Sequence, residues 1–386
     1  MMSRWGVVVA GAALLVSGCG VPPPQRALPC SAAPRPEIVF SADGRTARAQ
    51  LSVLTYNIEG LGWPARTGRS DKLREIGVRL AKLRAAGAAP DVILFQEVFS
   101  DAAKRAVSRS GYPAISAGPR RTSRAPSDAP VAPLPGKARV KRGELGIHLV
   151  GSGLVTASHY PIIFSESRPY GPKACAGIDC LSNKGILLTR IFVPGVPAPI
   201  DIYNTHMNSQ AASRAPRSRR VAAHERQTRA MAGFIGQTRD PAGAAIVAGD
   251  FNMKHSDPRW DHSSRLLQLS LVHQVCSEPA GRCNVQVSWD GDAPWMDTQD
   301  LQFFDDGDMV SIRPIKVEAM FDGGPSGPVL SDHDGFLVTY ELSWPVTPAA
   351  TSVEYSLGGE RVALREAQAC GTYEGLGQPV SARNSY

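Results

Sequence analysis

The stretch Ala245-Ile246-Val247-Ala248-Gly249-Asp250-Phe251-Asn252 joins four apolar residues to a glycine turn that carries a carboxylate and an amide. An uninterrupted apolar run bounded by turn formers fits a strand buried on both faces. Asp250 and Asn252 therefore stand where such a strand ends. The same design recurs along the chain. Leu51 to Ile58 is a near-continuous apolar strand with Asn57 at its end, Val92 to Gln96 is closed by Glu97, and Ile200 to Thr205 is followed by His206 and Asn208. Asp332 and His333 lie just before a last strand, Phe336 to Leu342. Five strands thus deliver carboxylate, amide or imidazole groups at their ends, which is how a rigid scaffold assembles a site.

Further strands are expected at Gly153 to Ala157 and Gly185 to Val193. A helix is expected from about Ser70 to Ala86, with Leu73, Ile76, Leu80 and Leu83 as its apolar stripe, Ser70 as cap and Gly87 at its end. A second helix is expected over about 213–236. Strands outnumber helices, and many are apolar on both faces. The pattern implies an α/β fold in which sheets pack together on one side and are covered by helices on the other. With 386 residues, 43% hydrophobic and 20% charged, the chain can bury a large core.

The oxygen groups of Glu97, Asp250, Asp332, Asn57 and Asn252 suit a hard cation, Mg²⁺ with Mn²⁺ or Ca²⁺ as alternatives. His206 and His333 can donate hydrogen bonds or move protons near neutral pH. Together these groups fit metal-assisted hydrolysis of a phosphoester by an in-line water. Taken singly, each has a plainer explanation: a strand-end Asn forms turns, and a lone His is usually a core residue. Their joint appearance in this order carries the reading.

Thr55-Tyr56-Asn57-Ile58, Phe95-Gln96-Glu97-Val98, Thr205-His206-Met207-Asn208, Gly249-Asp250-Phe251-Asn252 and Ser331-Asp332-His333-Asp334-Gly335 resemble the motifs of the endonuclease/exonuclease/phosphatase superfamily, from about Leu51 to Leu342. The resemblance implies a four-layer α/β sandwich with two central mixed β-sheets flanked by helices, and a site at one edge. It also implies Mg²⁺ held chiefly by Glu97 with Asn57 nearby. Asp250 would orient the attacking water, Asn252 and His206 would hold the phosphoryl group, and Asp332 with His333 would give acid/base help. The segments Ser152 to Ile162 and Ser182-Asn183-Lys184-Gly185-Ile186 are similar to neutral and bacterial sphingomyelinases. Lys184 is accordingly expected to meet the substrate phosphate as a point charge, with a plain hairpin turn at Asn183 to Gly185 as the alternative. Asn208 is a further substrate-binding candidate. One departure stands out. Many members carry Leu-Asp-Tyr before the final motif, its Asp bonded to the catalytic histidine, whereas Asp300-Leu301-Gln302-Phe303-Phe304 puts Gln302 in that register. Either His333 lacks a carboxylate, or a local shift brings in Asp300, Asp305 or Asp297.

At the N-terminus, Arg4 precedes an apolar run, Gly6 to Val16, too short to span a bilayer. The following Val16-Ser17-Gly18-Cys19 resembles a bacterial lipobox. The expectation is a signal peptide over 1–18, acylation of Cys19, and an exported, envelope-bound monomer. A Pro- and Ala-rich linker over 20–36, a catalytic domain over 49–344 and a C-terminal extension over 345–386 complete the layout. Export to an oxidising compartment lets the six other cysteines pair. Six cysteines allow 15 pairings; proximity favours Cys175 with Cys180 and Cys276 with Cys283, and Cys30 with Cys370 would then tie the two tails together. A zinc site is disfavoured because no Cys-x-x-Cys or spaced His pair accompanies them.

The net charge of +7 is unevenly spread: residues 119–142 hold five prolines and seven Lys or Arg against one acid, and 214–229 hold an Arg cluster. Such runs are either solvated faces or surfaces for phosphate-bearing partners. The leading function is a sphingomyelinase-like phosphodiesterase acting at a membrane. A secreted nuclease, an inositol-phosphate phosphatase and a catalytically inactive surface-binding lipoprotein remain alternatives.

Overall fold

The computed structural model describes residues 21–346 except 63–65, 127–131, 172, 280–282, 290–292 and 325–326. Cys19 with its signal segment, and Cys370 with the extension, lie outside the described residues. Among the described residues fourteen strands form two sheets. The first sheet runs β11 (Asn284–Gln286), β13 (Ser311–Met320), β14 (Gly335–Pro345), β2 (Thr46–Asn57), β3 (Val92–Gln96), β5 (Val155–Ser158) and β4 (Ala114–Ala117), with β1 (Val39–Phe40) also on β2. The second runs β10 (Ser270–Leu271), β12 (Asp300–Asp305), β9 (Ala245–Asp250), β8 (Ile200–His206), β7 (Gly185–Ile191) and β6 (Ile162–Pro169). Both are mixed: β2 and β3 are parallel, as are β8 and β9, while β14 is antiparallel to β2 and β12 to β9.

Side-chain alternation explains the layering. Leu51, Val53, Val92, Leu94, Ile200, Ile202, Ile246, Ala248 and Val338 point between the sheets and share one core. The opposite residues of the first sheet, Leu54, Tyr56, Ile93 and Phe95, pack on Leu73, Ile76 and Leu80 of α1 (Arg69–Ala85) and on Ala103, Ala106 and Val107 of α2 (Asp101–Arg109). Those of the second sheet, Tyr203, Val247, Leu301 and Phe303, pack on Met231, Phe234 and Ile235 of α3 (Arg217–Thr238) and Leu267 of α4 (Asp257–Leu267). The result is helix, sheet, sheet, helix. A short α5 (Val272–Ser277) lies beside β12 and β13.

The apolar runs read from the sequence coincide with strands, although β5 begins at Val155 rather than Gly153 and β7 ends at Ile191 rather than Val193, and the two expected helices appear as α1 and α3. Ser70 is not the cap of α1: the helix begins at Arg69 after Gly68, with no side-chain cap bond. Gly87, at φ +68°, does end it. Cys175–Cys180 and Cys276–Cys283 are disulfides, and Cys30 is also disulfide-bonded. The stretch read as a linker lies along the domain instead. Arg26 pairs with Ile115 through backbone bonds in both directions, and Lys104 Nζ donates to Val21 O.

Candidate active site

Strand direction and alternation place the polar strand ends together. The C-terminal ends of β2, β3, β8 and β9 and the start of β12 lie at one edge of the sandwich. Their register sets His206 beside Asp250 and Asp250 beside Asp300 on adjacent strands, and Asn57 beside Gln96 on the facing sheet. Asn57, His206, Asp250 and Asp300 continue the inward-facing positions of their strands, so they meet where the core gives way to solvent.

Asp250 Oδ2 is the point of convergence. Asn57 Nδ2 donates to it at 3.1 Å, His206 Nε2 lies 3.2 Å away and His333 Nε2 3.9 Å away. The backbone N–H of Asn252, a residue at φ +53°, donates to Oδ1 at 3.0 Å. Burial raises the Asp250 carboxyl to about 7, opposed by the charges of His333 and Lys184.

His333 is held by an acid. Its Nδ1 lies 2.6 Å from Asp300 Oδ2. Burial works against the charged ring, but the charge and hydrogen bond of Asp300, with Asp250 and Asp332, raise its pKa to about 11 and keep it an imidazolium. Asp300 is thus the partner left open by the sequence, and Gln302 is not a substitute for it. Two residues further in, Gln302 Nε2 donates to Val53 O and Phe336 O while its Oε1 accepts from Tyr340 Oη, which ties the two sheets together.

Glu97 closes β3 at φ +61°, a conformation rarely adopted outside glycine. It is fixed by neighbours: Val98 N donates to Gly153 O, Phe99 N to Glu97 O and Ser100 N to Gly60 O. A Cβ on Gly60 would sit 2.1 Å from Glu97 O, so only glycine fits there. Burial raises the Glu97 pKa, opposed by Lys184 and a hydrogen bond from Asn57.

Lys184 lies inside the cluster, with its ammonium 3.0 Å from Asp179 Oδ1, 3.0 Å from His206 Nε2 and 2.8 Å from Met207 O. Burial, then Lys184 and His333, lower the pKa of His206 well below its ordinary value, so that ring is neutral. Its Nδ1 is buried without a hydrogen-bond partner among the described residues. Asn208, expected to meet substrate, is bonded within the protein. Asn208 Oδ1 accepts from Ala176 N and its Nδ2 donates to Ser209 O, so the amide fastens a loop. Asp332 stands outside the buried cluster, its side chain 52% exposed and paired with Arg66.

Two arginines that gave no sequence signal, and Ser331 of the last motif, support the site. Fully buried Arg259 donates to Asn208 O, Asn252 O, Ser209 O and Arg220 O, holding the loops after β8 and β9. Arg69 donates to Ile58 O and Leu330 O and pairs with Glu59, and Ser331 Oγ donates to Asn57 O at 2.7 Å. These bonds fix the Asp332-His333 loop against the end of β2. Beside the dyad opens a cleft of about 870 Å³ whose wall includes Asp300, His333, Phe336, Trp289 and His273.

Among the described residues, no three His, Cys, Asp or Glu side chains form a metal-binding group. A single half-buried carboxylate still meets the needs of a hard cation that keeps most of its water. Glu97 has raised affinity for a proton and makes no ion pair among the described residues, because Lys184 is taken by Asp179. With Asn57 beside it, Glu97 fits such an ion.

The fold matches solved structures along most of their length. A beta toxin mutant from Staphylococcus aureus with bound magnesium ions is 16% identical, covers 75% of this chain and 99% of its own, and superposes with a TM-score of 0.51. Sphingomyelinase C from Streptomyces griseocarneus is 21% identical with the same coverages and a TM-score of 0.50. At such identities the likeness speaks to the fold. Among curated proteins no sequence relative is found. The family described as Endonuclease/Exonuclease/phosphatase matches residues 54–333. With that match spanning the convergent strand ends, the chain belongs to the Endonuclease/Exonuclease/phosphatase family.

Proposed function

We propose that this protein is a divalent-metal-dependent phosphodiesterase that releases a phosphorylated head group from a membrane lipid, in the manner of a sphingomyelinase. The observation that carries the reaction class is the convergence on Asp250 Oδ2 of Asn57, neutral His206 and the Asp300-held imidazolium of His333.

Asp250, with a pKa near 7, accepts a proton from the attacking water as that oxygen bonds to phosphorus. His333 delivers its Nε2 proton to the departing alkoxide as the P–O bond breaks, leaving a phosphomonoester and an alcohol. Asn252 offers a side-chain N–H to the non-bridging oxygens, with the neutral His206 ring beside it between Lys184 and Asp250. Glu97 and Asn57 would hold a divalent ion, which would neutralise phosphate charge. Lys184 acts on substrate through His206 and the local positive field, since Asp179, Met207 O and His206 already surround its ammonium.

The lipid substrate is supported by the presence of Lys184 inside the site and by the sphingomyelinase among the fold neighbours. It also suits the acyl attachment expected at Cys19. The test is the purified chain with Mg²⁺ against sphingomyelin, plasmid DNA, inositol phosphates and bis-p-nitrophenyl phosphate. Release of phosphocholine is expected. Cleavage of DNA with lipid untouched would make it a nuclease, and inertness toward all four substrates would overturn the enzymatic reading.

A further inference from the structure

The basic, proline-rich run leads into a surface that catalysis does not use. Five of the eleven large hydrophobic side chains exposed among the described residues lie together: Val140, Leu145, Ile147, Leu149 and Ile178. Val140 and Ile147 are each 60% exposed. They come from two segments packed on each other. Gly143 lies so close to Ile178 that a Cβ would meet its Cα at 2.9 Å. Leu149 N donates to Leu181 O, His148 Nδ1 lies 2.9 Å from Cys180 O, and Glu144 Oε1 accepts from Gly177 N.

Interleaved with these apolar side chains are Lys137, Arg139, Lys141 and Arg142, all exposed and none in a side-chain ion pair among the described residues. Of the nearby acids, Glu144 is consumed by Arg219 and Asp179 by Lys184. Exposed Arg120 lies on the adjoining edge, where Asn183 Nδ2 donates to its carbonyl. The segment is also wired to the catalytic cluster. Asp179 follows Ile178 and pairs with Lys184, which contacts His206.

We propose that residues 137–149 with Ile178 form a docking face for an anionic lipid bilayer, independent of any acyl chain, that brings the site onto its substrate surface. The inference deepens the lipid-directed reading above and rests on it for its purpose, though not for its physics. Exposed aliphatic side chains enter the acyl boundary while Lys and Arg meet head-group phosphates. A nucleic-acid face would instead present aromatic stacking platforms, and the exposed hydrophobics here are all aliphatic.

The test uses the full chain carrying Cys19→Ser, so that acylation does not mask the effect, and vesicles of phosphatidylcholine with 30% phosphatidylglycerol (a composition of roughly this charge density suffices). The triple variant Val140→Ser/Ile147→Ser/Leu149→Ser and the pair Lys141→Glu/Arg142→Glu are each expected to weaken vesicle binding by about tenfold or more. The control Val39→Ser/Phe40→Ser, exposed residues on β1 at the far end of β2, is expected to bind as the parent does. Unchanged thermal midpoints show that each variant is folded. Parent-like vesicle binding by both surface variants overturns the proposal. So does stronger retention on an oligonucleotide than on vesicles, or a change from dimer to monomer in the triple variant. Vesicle binding that depends on these residues, without hydrolysis of sphingomyelin added to the same vesicles in the presence of Mg²⁺, supports the face and refutes the lipid-substrate reading. Hydrolysis of detergent-dispersed lipid with no loss of binding in the variants does the reverse.

Discussion

Asp300→Asn keeps the shape of the dyad and removes its charge. In the parent the His333 pKa rises from 6.5 to about 11, a preference for the imidazolium of roughly 6 kcal/mol, with Asp300 the leading contributor among the groups that raise it. An amide at 300 cannot supply that field, so His333 should titrate much closer to 6.5. The sign follows. A general acid is lost as pH rises through its pKa, so the parent should hold its rate well into the alkaline range, whereas Asp300→Asn should decline through neutrality. The rate loss should fall between about 10² and 10⁴ for a diester with an alkyl alcohol as leaving group, the usual contribution of a positioned acid. It should be under about tenfold when p-nitrophenolate departs, because that anion needs no proton. Steady-state kcat from pH 5 to 11 on the two leaving groups measures both effects. Equal losses on both, or a variant whose alkaline limb coincides with the parent's, would refute the assignment of His333 as an acid held by Asp300.

Glu97→Gln should reduce Mg²⁺ affinity by at least about tenfold, the loss typical of outer-shell changes alone; competition against Mn²⁺ by electron paramagnetic resonance measures it, and unaltered affinity would place the ion elsewhere. Arg259→Met strands buried carbonyls of Asn208, Asn252, Ser209 and Arg220 and should cost about 3 kcal/mol, lowering the thermal midpoint by roughly 6–12 °C. An unchanged midpoint would show that these loops hold without it. Burial between Trp289 and Phe336 lowers the His273 pKa from 6.5 to about 3. The stability of the neutral ring is complete above pH 6.5 and is lost as pH falls toward 3. His273→Phe should therefore flatten the dependence of unfolding free energy on pH by about 1.4 kcal/mol per pH unit in that window, and equal slopes in urea titrations would contradict the burial argument.

The site was legible because its residues end apolar runs. Glu97 follows Val92 to Gln96, and Asp250 and Asn252 follow Ala245 to Ala248, so a period of two and a turn sufficed to place them at one edge. Asp300 was harder. Its strand, Asp300–Asp305, mixes polar and apolar residues because Gln302 faces the other sheet and is satisfied there by two carbonyls and a tyrosine. Only the pairing of Asp300 with Asp250 in the antiparallel register identifies it as the acid beside His333. Asn208 follows His206 by two residues, but nothing local shows that its amide bonds Ala176 N, distant in sequence, as well as Ser209 O beside it. Arg259 and Arg69 read as ordinary helical arginines, since nothing local marks a guanidinium whose partners are backbone carbonyls on other elements.

The central claim is that the groups around Asp250 Oδ2 drive water onto phosphorus. Hydrolysis of a phosphodiester in H₂¹⁸O with Mg²⁺ tests it directly, with the label located by mass spectrometry. The account predicts one ¹⁸O in the phosphomonoester, none in the alcohol, and a rate at least about 10²-fold lower in Asp250→Asn. Label in the alcohol, or an undiminished rate in Asp250→Asn, would contradict it.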